Sequence, residues 1–424
     1  MSDNNIIKVE SEIGPLQRVI VHAPDEGVSR VLPRRSDELL FDDIIYLPKA
    51  REEHQIFTNV IAAFIGQEHV LKTEQLLFEA LVADANSKAT MIQQIVEYEE
   101  LPRKTIDTFH EVSDQELTNI LITGYHRATD HIYFDPIPNF VFTRDIAVTV
   151  NDHLIITKAA KEARYRENFL TRFIINSHPL FSQIKSEGKI LNMNLVDEFP
   201  PSKRGVSISI EGGDVMILNE NYLLIGCSER TNAHTIATLR DVLFDKGIIE
   251  NIVQVNIPQD RSYMHIDTIF TQINHAEYVA FKPIIIDGLS SYVEVYRKKG
   301  PKATYPSLSE FLKKEIDKET SFILSGQGIT PYQEREQWTD GCNLVALKPG
   351  VGLTYDRNPK TEKAFIEAGY NILPAEKFLS GVHAGIINPN NLNHTIITLP
   401  SNELSRARGG SHCMTCPITR NSLI

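Results

Sequence analysis

The sequence predicts a mixed α/β fold in which short sheets are covered by helices. In three places, within residues 56–71, 232–255 and 361–373, a helix ends at a glycine and a short apolar strand follows. In two others, residues 146–157 and 215–225, two apolar strands are joined by a short polar stretch that suits a hairpin. These observations favour mixed sheets with helices outside over one long parallel sheet.

The stretch 232–255 shows the recurring unit most fully. Asn232 is a good N-cap, and an apolar stripe at helical spacing runs from Ile236 to Leu243. Gly247 ends the helix, and Ile252–Val255 is predicted as the following strand. Any α/β protein contains such units, so they predict the class of fold and not the number of repeats.

Residues 73–125 break this pattern, because strand signals are almost missing there. Apolar residues recur at helical spacing, for example around Leu77 and Leu121. Ser113 and Glu116 have the spacing of a capping box at the start of the last predicted helix. The stretch is therefore predicted to have a structural role and to contribute no residue to the chemistry.

Length and composition indicate a compact soluble enzyme. A chain of 424 residues exceeds the usual size of one hydrophobic core, so two domains or one large domain with an insertion are expected. With 42% hydrophobic and 23% charged residues, the chain is neither disordered nor membrane-spanning. Apolar runs such as Ile284–Ile286 are far shorter than a bilayer span. Met1–Asn5 lacks the features of a signal peptide, which predicts a cytoplasmic location.

Charge and cysteine content narrow the class of partner. A formal net charge of -12 disfavours nucleic acid or an anionic membrane surface and mildly favours the approach of a cation. Four cysteines in a chain of this length do not form a disulfide scaffold, so reduced thiols are expected.

Acids, one histidine and one thiol recur in short polar motifs along the chain. They are Asp145, Glu211, Asp214, His265, Asp267 and Cys413. In an extended strand the side-chain period is two, so His265 and Asp267 are predicted to point the same way and to serve one pocket. A Cys and a His are the minimum parts of a thiolate nucleophile with a proton shuttle, and nearby carboxylates suit a cationic substrate. The motifs indicate covalent chemistry on a guanidinium.

Cys413 has competing interpretations. Arg408 and His412 lie close in sequence and are expected to lower the pKa of a catalytic thiol, unless the charge of a substrate does so. A buried cysteine of purely structural use is the usual alternative in such a chain. Cys413 and Cys416 could also form a redox pair or half a zinc site, but no second cysteine pair or matching histidines complete four ligands.

Taken together, the motifs resemble the arginine deiminase family of the guanidine-modifying superfamily. Further matching strings are Ser11–Gly14, Glu38–Asp43, Arg164–Glu167, Ser228–Thr231, Arg357–Asn358 and Cys413–Ile418. Each string alone is weak, but their joint order over residues 11–420 is specific. The resemblance implies a pseudo-fivefold α/β propeller, the pentein fold, formed by residues 1–72 and 126–424 around a central active site. It also implies that residues 73–125 are an inserted all-helical subdomain.

The resemblance also implies a role for each candidate residue. Five would carry the chemistry: Cys413 as nucleophile, Glu211 and His265 as proton carriers, and Asp145 and Asp267 as ligands of the guanidinium. Seven would bind the substrate: Arg164 and Arg230 at its α-carboxylate, Asn139 and Glu167 beside them, and Leu40, Phe142 and Arg408 lining or closing the pocket. Ser405, Ala407 and Ser411 stand where the family commonly has glycine, so the closing loop is where this chain departs from the pattern.

The implied activity is hydrolysis of free L-arginine to L-citrulline and ammonia through a covalent thiouronium on Cys413. We expect no metal and no organic cofactor, a small-molecule substrate as the partner, and a homo-oligomer, either a dimer or a tetramer. A sister enzyme, such as an agmatine deiminase, a methylarginine hydrolase or an amidinotransferase, would share the five chemical residues but not the carboxylate clamp. A noncatalytic arginine-binding protein would have no reason to keep Cys413 and His265 together. A structural or redox protein would need neither Asp145 nor Glu211.

Overall fold

The computed structural model describes residues 7–41 and 43–423. Met1–Asn5, whose sequence predicts that there is no signal peptide, and Asp42 of the Glu38–Asp43 string lie outside the described residues. Among the residues described, no helix is both long and apolar enough to cross a membrane.

Strands and helices alternate along most of the described chain. The strands are β1 (Leu16–Val21), β2 (Val70–Lys72), β3 (Tyr125–His126), β4 (His131–Ile132), β5 (Ala147–Val150), β6 (His153–Ile156), β7 (Ile190–Asn192), β8 (Val215–Asn219), β9 (Tyr222–Cys227), β10 (Asn251–Asn256), β11 (Phe270–Asn274), β12 (Glu277–Ala280), β13 (Tyr292–Arg297), β14 (Ala303–Tyr305), β15 (Ser321–Leu324), β16 (Val345–Lys348), β17 (Val351–Tyr355), β18 (Asn371–Pro374), β19 (Thr395–Leu399) and β20 (Cys416–Arg420). The α-helices are α1 (Ser36–Leu39), α2 (Leu47–Ile65), α3 (Thr73–Ala83), α4 (Ala85–Tyr98), α5 (Thr105–Glu111), α6 (Asp114–Thr123), α7 (Tyr165–Ser177), α8 (Ser182–Ser186), α9 (Ala233–Asp245), α10 (Lys282–Ile285), α11 (Leu308–Phe311), α12 (Tyr332–Trp338), α13 (Pro359–Glu367) and α14 (Ala375–His383).

Five sheets repeat one pairing pattern. In each, a first strand is antiparallel to a second, and the second is parallel to a third that is reached through a helical connection. The five sets are β5, β6 and β7; β8, β9 and β10; β11, β12 and β15; β16, β17 and β19; and β20, β1 and β2. The mixed α/β class predicted from the short hairpins is therefore confirmed, since a purely parallel sheet has no such antiparallel pair.

The recurring unit predicted at residues 232–255 forms as expected. Asn232 Oδ1 accepts a hydrogen bond from the Thr235 backbone N–H at 2.9 Å and caps α9. Gly247 has a φ of +71°, which ends the helical segment in a conformation that glycine adopts freely. The chain then enters β10, which pairs parallel with β9. The local signals therefore agree with the sheet that they lead into.

The stretch 73–123 consists of four consecutive helices, α3 to α6, joined by short turns. Its buried positions are mostly apolar, with Phe109, Leu117 and Leu121 fully buried in a cluster that includes residues of α7. Ser113 Oγ accepts from the Glu116 N–H at 3.2 Å, whereas the Glu116 carboxylate accepts from the Arg127 N–H at 2.8 Å. Ser113 is therefore confirmed as the N-cap. The Glu116 carboxylate binds the backbone of Arg127 instead of completing the capping box.

The residues that carry chemistry share one position in these five sheets. Asp145, Asp214, Asp267 and Cys413 each lie one to three residues before the first strand of a sheet, at β5, β8, β11 and β20. In the fifth sheet Asn343 has the same position before β16. The segments before these strands converge, so the polar residues meet although they are distant in sequence.

Candidate active site

A small pocket lies where the segments that precede the first strands meet. It is lined by Leu40, Asn139, Phe142, Asp145, Arg164, Glu211, Arg230, Arg261, Met264, His265, Thr268, Ala407, Arg408 and Cys413. Ten residues of the predicted set are in this lining. The other two, Glu167 and Asp267, contact lining residues from behind: Glu167 pairs with Arg164 at 2.8 Å, and Asp267 lies 3.5 Å from the Cys413 sulphur.

Asp145 is fixed by two elements at once. It ends a 3₁₀ turn over Thr143–Asp145, and its Oδ1 accepts from the Gly213 N–H at 3.0 Å. Its Oδ2 accepts from Arg164 Nη1 at 2.6 Å. The carboxylate is buried, so these hydrogen bonds offset the cost of removing it from water.

Glu211 and His265 form a buried pair in which His265 Nε2 lies 2.9 Å from Glu211 Oε2. Burial lowers the pKa of His265, but Asp145 and Glu211 overcome it and raise that pKa to about 10. Burial acts against the charge of Glu211 too, and Arg164 and His265 nonetheless hold its pKa far below the ordinary value. The site therefore contains an imidazolium and a carboxylate in direct contact.

Glycine at position 213 allows the His265 ring to lie against the backbone. A Cβ on Gly213 would come 2.7 Å from His265 Nδ1, which is closer than real contacts allow. Packing against the histidine thus explains Gly213, whereas a Cβ on Gly212 would come 1.9 Å from the Arg144 carbonyl oxygen.

The prediction that His265 and Asp267 share a strand is wrong. His265 has an extended backbone, but Ile266–Thr268 form a 3₁₀ turn that is closed by hydrogen bonds from the Thr268 N–H and hydroxyl to the His265 carbonyl. The turn sends the two side chains to different partners. His265 contacts Glu211, and Asp267 contacts His412 at 2.9 Å.

Asp267 has one oxygen in a hydrogen bond and one without. Its Oδ2 faces His412 Nδ1, and behind it Arg144 and Glu12 continue the buried network. Its Oδ1 is buried and has no hydrogen-bond partner among the described residues. Burial raises the pKa of Asp267, but the hydrogen bond and charge of His412 outweigh that effect and lower the pKa below its ordinary value. The group is therefore a carboxylate. A buried, unpartnered carboxylate oxygen is costly without a ligand that donates to it.

The Cys413 sulphur is buried and lies among carboxylates. Burial raises the pKa of this thiol well above its ordinary range, and the charges of Asp267 and Asp145 raise it further. The expectation that Arg408 and His412 lower it is wrong for this state of the protein. His412 is bound to Asp267, and the Arg408 guanidinium lies 3.3 Å from the ring centroid of Trp338.

Arg164 and Arg230 contact the pocket carboxylates directly. Arg164 precedes α7, is only 4% exposed, and binds Asp145, Glu167 and Glu211 at 2.6, 2.8 and 3.3 Å. Arg230 Nη1 lies 3.6 Å from Glu211. In this state Arg164, which is predicted to bind the α-carboxylate of the substrate, is paired with Asp145, which is predicted to bind its guanidinium. Binding of the α-carboxylate by Arg164 and Arg230 therefore stays a prediction.

The remaining lining residues close the pocket around these charges. Asn139 Nδ2 donates to the Leu39 carbonyl at 2.6 Å, which ties the segment before Leu40 to the pocket. A Cβ on Gly409 would come 2.3 Å from the Phe142 ring, so the closing loop passes directly against that ring. Both contacts agree with the predicted pocket wall.

Asp145, Glu211 and His265 could in principle hold a metal ion, because their ligand atoms lie within 4.8 Å of one another. A histidine must lose its proton to bind a metal, and the pKa of about 10 for His265 opposes this. Arg164 already pairs with both carboxylates. The arrangement suits an organic cation better than a metal.

Sequence reasoning missed Asn343, Glu12 and Arg144. Asn343 contacts the Cys413 sulphur, and Glu12 and Arg144 support His412 from behind. Asn343 had a usable signal, since it precedes a buried strand as Asp145 and Cys413 do. Glu12 lies in the matching string Ser11–Gly14, but no local signal places Glu12 or Arg144 beside His412.

Comparisons with known proteins agree with this site and fold. A family model described as Arginine deiminase matches residues 37–420. Proteins named arginine deiminase from Limosilactobacillus reuteri and Pediococcus pentosaceus are 33% and 32% identical to this chain, over 98% and 99% of it and over 98% and 100% of their own lengths. One from Listeria monocytogenes is 31% identical over all of both chains.

Solved structures support the fold alone, since their sequences are distant. The N-terminal domain of ArgZ bound to product, an arginine dihydrolase from the ornithine-ammonia cycle in cyanobacteria, aligns with a TM-score of 0.51 and 13% identity over 96% of this chain and 99% of that one. SxtG, an amidinotransferase from Microseira wollei, aligns with a TM-score of 0.51 and 14% identity over 98% of both chains.

Proposed function

Because this chain belongs to the arginine deiminase family, we propose that it hydrolyses the guanidinium of free L-arginine to L-citrulline and ammonia. One observation at the site carries this proposal. A buried cysteine, Cys413, lies 3.5 Å from Asp267, whose second oxygen has no hydrogen-bond partner among the described residues. A guanidinium bound to that oxygen would satisfy it and would bring its central carbon beside the sulphur.

Asp145 and Asp267 bind the substrate guanidinium. Its five N–H donors lie in a plane that two carboxylates can bracket, and both carboxylates here are buried. Since Arg164 binds Asp145 in this state, the substrate must displace it. The released Arg164 is then available, with Arg230, for the α-carboxylate, and Asn139 and Glu167 support the pair.

The substrate also activates the nucleophile. Asp267 and Asp145 raise the pKa of Cys413 because their charges oppose a thiolate. A bound guanidinium neutralises those charges and therefore lowers the pKa of the thiol. Coupling of thiolate formation to binding keeps the free enzyme largely unreactive.

The reaction proceeds in two covalent steps. The Cys413 thiolate adds to the guanidinium carbon, and a tetrahedral adduct forms. His265, which is protonated at neutral pH, gives its proton to the departing nitrogen, and ammonia leaves behind a thiouronium. The neutral His265 then takes a proton from water, and the hydroxide adds to the same carbon. The carbon–sulphur bond breaks as the adduct's hydroxyl loses its proton to solvent, which releases citrulline and the thiolate. Glu211 holds the imidazole ring throughout.

We propose the finer architecture as well. The five sheets with one shared pairing pattern form a pseudo-fivefold α/β propeller over residues 1–72 and 126–424, and residues 73–125 form an inserted helical subdomain. Four of the strand-preceding segments line one pocket, and the fifth contacts Cys413 through Asn343, which supports this arrangement. A cytoplasmic location and a dimeric or tetrameric assembly stay predictions.

The test is release of citrulline and ammonia from L-arginine by the purified protein and by Cys413→Ala. We expect turnover by the first and none by the second, while Cys227→Ala, Cys342→Ala and Cys416→Ala remain active. Full activity of Cys413→Ala would exclude the covalent mechanism. An inactive natural chain with intact folding would exclude the function.

A further inference from the structure

Asn343 makes four hydrogen bonds around the nucleophile. It is fully buried in the loop between α12 and β16. Its Nδ2 donates to the Cys413 sulphur at 3.2 Å and to the Asp267 carbonyl at 3.1 Å. Its Oδ1 accepts from the backbone N–H groups of His412 at 3.1 Å and Cys413 at 3.2 Å.

These partners fix which way the amide faces. A flipped amide would place its NH₂ group against two N–H donors and its oxygen against a carbonyl. The nitrogen therefore points at the sulphur for reasons that do not involve the sulphur.

We propose that Asn343 is a catalytic residue of this enzyme, one that stabilises the Cys413 thiolate through its side-chain nitrogen and positions the nucleophile through its side-chain oxygen. The inference rests on the proposed function, in which the Cys413 sulphur is the atom that attacks the substrate. It assigns to the amide the task of an electrostatic donor that is already in place before the reaction.

The surroundings of the sulphur explain why such a donor is needed. Among the described residues, the hydrogen bonds to the sulphur involve Asn343 and Asp267. Asp267 can only accept from the thiol, and it repels the thiolate once the proton has left. Asn343 is neutral and keeps its hydrogen bond in both states, and it acts to lower the pKa of Cys413.

The loop is shaped to bring the amide this close. A Cβ on Gly410 would lie 2.5 Å from Asn343 Oδ1, so the backbone before Cys413 can approach the amide only with glycine there. Ser411, where the family commonly has glycine, uses its hydroxyl to accept from the Val345 N–H at 3.2 Å. The serine thus ties the closing loop to the strand that follows Asn343.

Asn343→Asp separates the two parts of the role. The new side chain can still accept from His412 and Cys413, but it loses the donor to the sulphur and adds a charge that opposes the thiolate. Asn343→Ala loses both functions. Asn358→Asp is the matched control, because Asn358 is also buried and hydrogen-bonded, to Thr339, outside the pocket.

The first measurement is alkylation of Cys413 by iodoacetamide at pH 8 without arginine, located by peptide mass. Well below the pKa of the thiol, each unit of rise in pKa slows alkylation about tenfold. We expect Asn343→Asp to react at least about tenfold more slowly than the natural chain, with Asn358→Asp unchanged. Equal alkylation rates in Asn343→Asp and the natural chain would overturn the inference.

The second measurement is arginine turnover. Removal of one preorganised donor typically costs about 10²- to 10³-fold in kcat. Because Asn343 does not line the pocket, we expect this loss in kcat with KM nearly unchanged. A purely structural role would instead lower the melting temperature and leave the alkylation rate per folded molecule as it was. Should Asn343→Asp fail to fold, Asn343→Ala must show slowed alkylation for the inference to stand.

The two measurements distinguish this inference from the proposed function. If the natural chain does not hydrolyse arginine but Asn343→Asp still slows alkylation, the function fails and the thiolate contact stands. If arginine is hydrolysed and Asn343→Asp matches the natural chain in both assays, the function stands and the role of Asn343 is refuted.

Discussion

The helical stretch 73–123 and the central pocket bury opposite kinds of side chain. In the helices the fully buried positions include Phe109, Leu117 and Leu121. In the pocket they include Glu211, and His265 is only 3% exposed. One region gains stability from removing apolar surface from water, and the other holds charge in place at an energetic cost. Stability and chemistry should therefore respond to different mutations.

The cost in the pocket is offset by pairing, but the pairing is incomplete. Arg164 and His265 compensate Asp145 and Glu211, whereas Asp267 keeps an oxygen without a partner among the described residues. Breaking one partner of a buried pair is destabilising because a charge is left behind. A cationic ligand should accordingly stabilise the pocket and have little effect on the helices.

The largest effect should appear in substrate choice. If Arg164 and Arg230 bind the α-carboxylate, agmatine, which lacks it, leaves their charges uncompensated in a closed pocket. A site built for a polar group rejects the analogue without it by as much as roughly 10⁴- to 10⁵-fold. We expect kcat/KM for arginine to exceed that for agmatine by such a factor, and peptide-bound arginine to fail as well. Comparable rates on agmatine would favour a sister activity.

Arg230→Lys tests whether Arg230 binds the α-carboxylate. Lysine cannot reproduce a bidentate guanidinium fork, so arginine turnover should weaken substantially while the preference over agmatine shrinks. The measurement is kcat/KM for both substrates in one preparation. An unchanged preference would remove Arg230 from the clamp.

His265→Ala should stop steady turnover, with a loss of roughly 10²- to 10⁴-fold. Cys413 should be labelled only in part when the protein is quenched with arginine, because hydrolysis of the intermediate requires the base. Mass spectrometry of the quenched protein measures this. His153→Ala, at a surface pair with Asp152, is the control and should turn over normally. Normal citrulline release by His265→Ala would refute its role.

Phe109→Ala should show the reverse behaviour in the helical stretch. Loss of this fully buried ring, which packs against Tyr133, should lower the free energy of unfolding by about 3 to 5 kcal/mol. Urea unfolding measures the loss, and kcat of the folded protein should stay unchanged. Val82→Ala, at an exposed position of α3, should change the free energy by less than about 0.5 kcal/mol. A loss of kcat in Phe109→Ala would show that the two regions are coupled.

The smallest effect concerns pH. Burial opposes the charge of Glu12, but Arg144 and His412 hold its pKa at about 2, below its ordinary value of 4.5. A lowered pKa in the folded state gives stability that is complete above the unfolded pKa and is lost as pH falls from about 4.5 toward 2. Between pH 7 and 3.5 the natural chain should therefore lose about 1 kcal/mol more than Glu12→Gln, as measured by urea unfolding. Parallel curves for the two proteins would contradict this.

Local sequence determined the elements and the list of chemical residues. Asn232, Gly247 and the apolar periods specify where helices and strands begin and end, because caps and side-chain spacing act within a few residues. Most of the predicted site residues line one pocket, as the resemblance implied. The strand assigned across His265 and Asp267 failed because a hydrogen-bonded turn of three residues leaves no clear periodic signal.

Only the tertiary structure decided how these residues are charged and what they touch. Glu12 meets His412 across the whole chain, and Asn343 meets Cys413 through the packing of two loops. The pKa of Cys413 is raised by burial and by carboxylates that are distant in sequence but close in space. Desolvation and charge interactions depend on distance in space, so no window of sequence contains them.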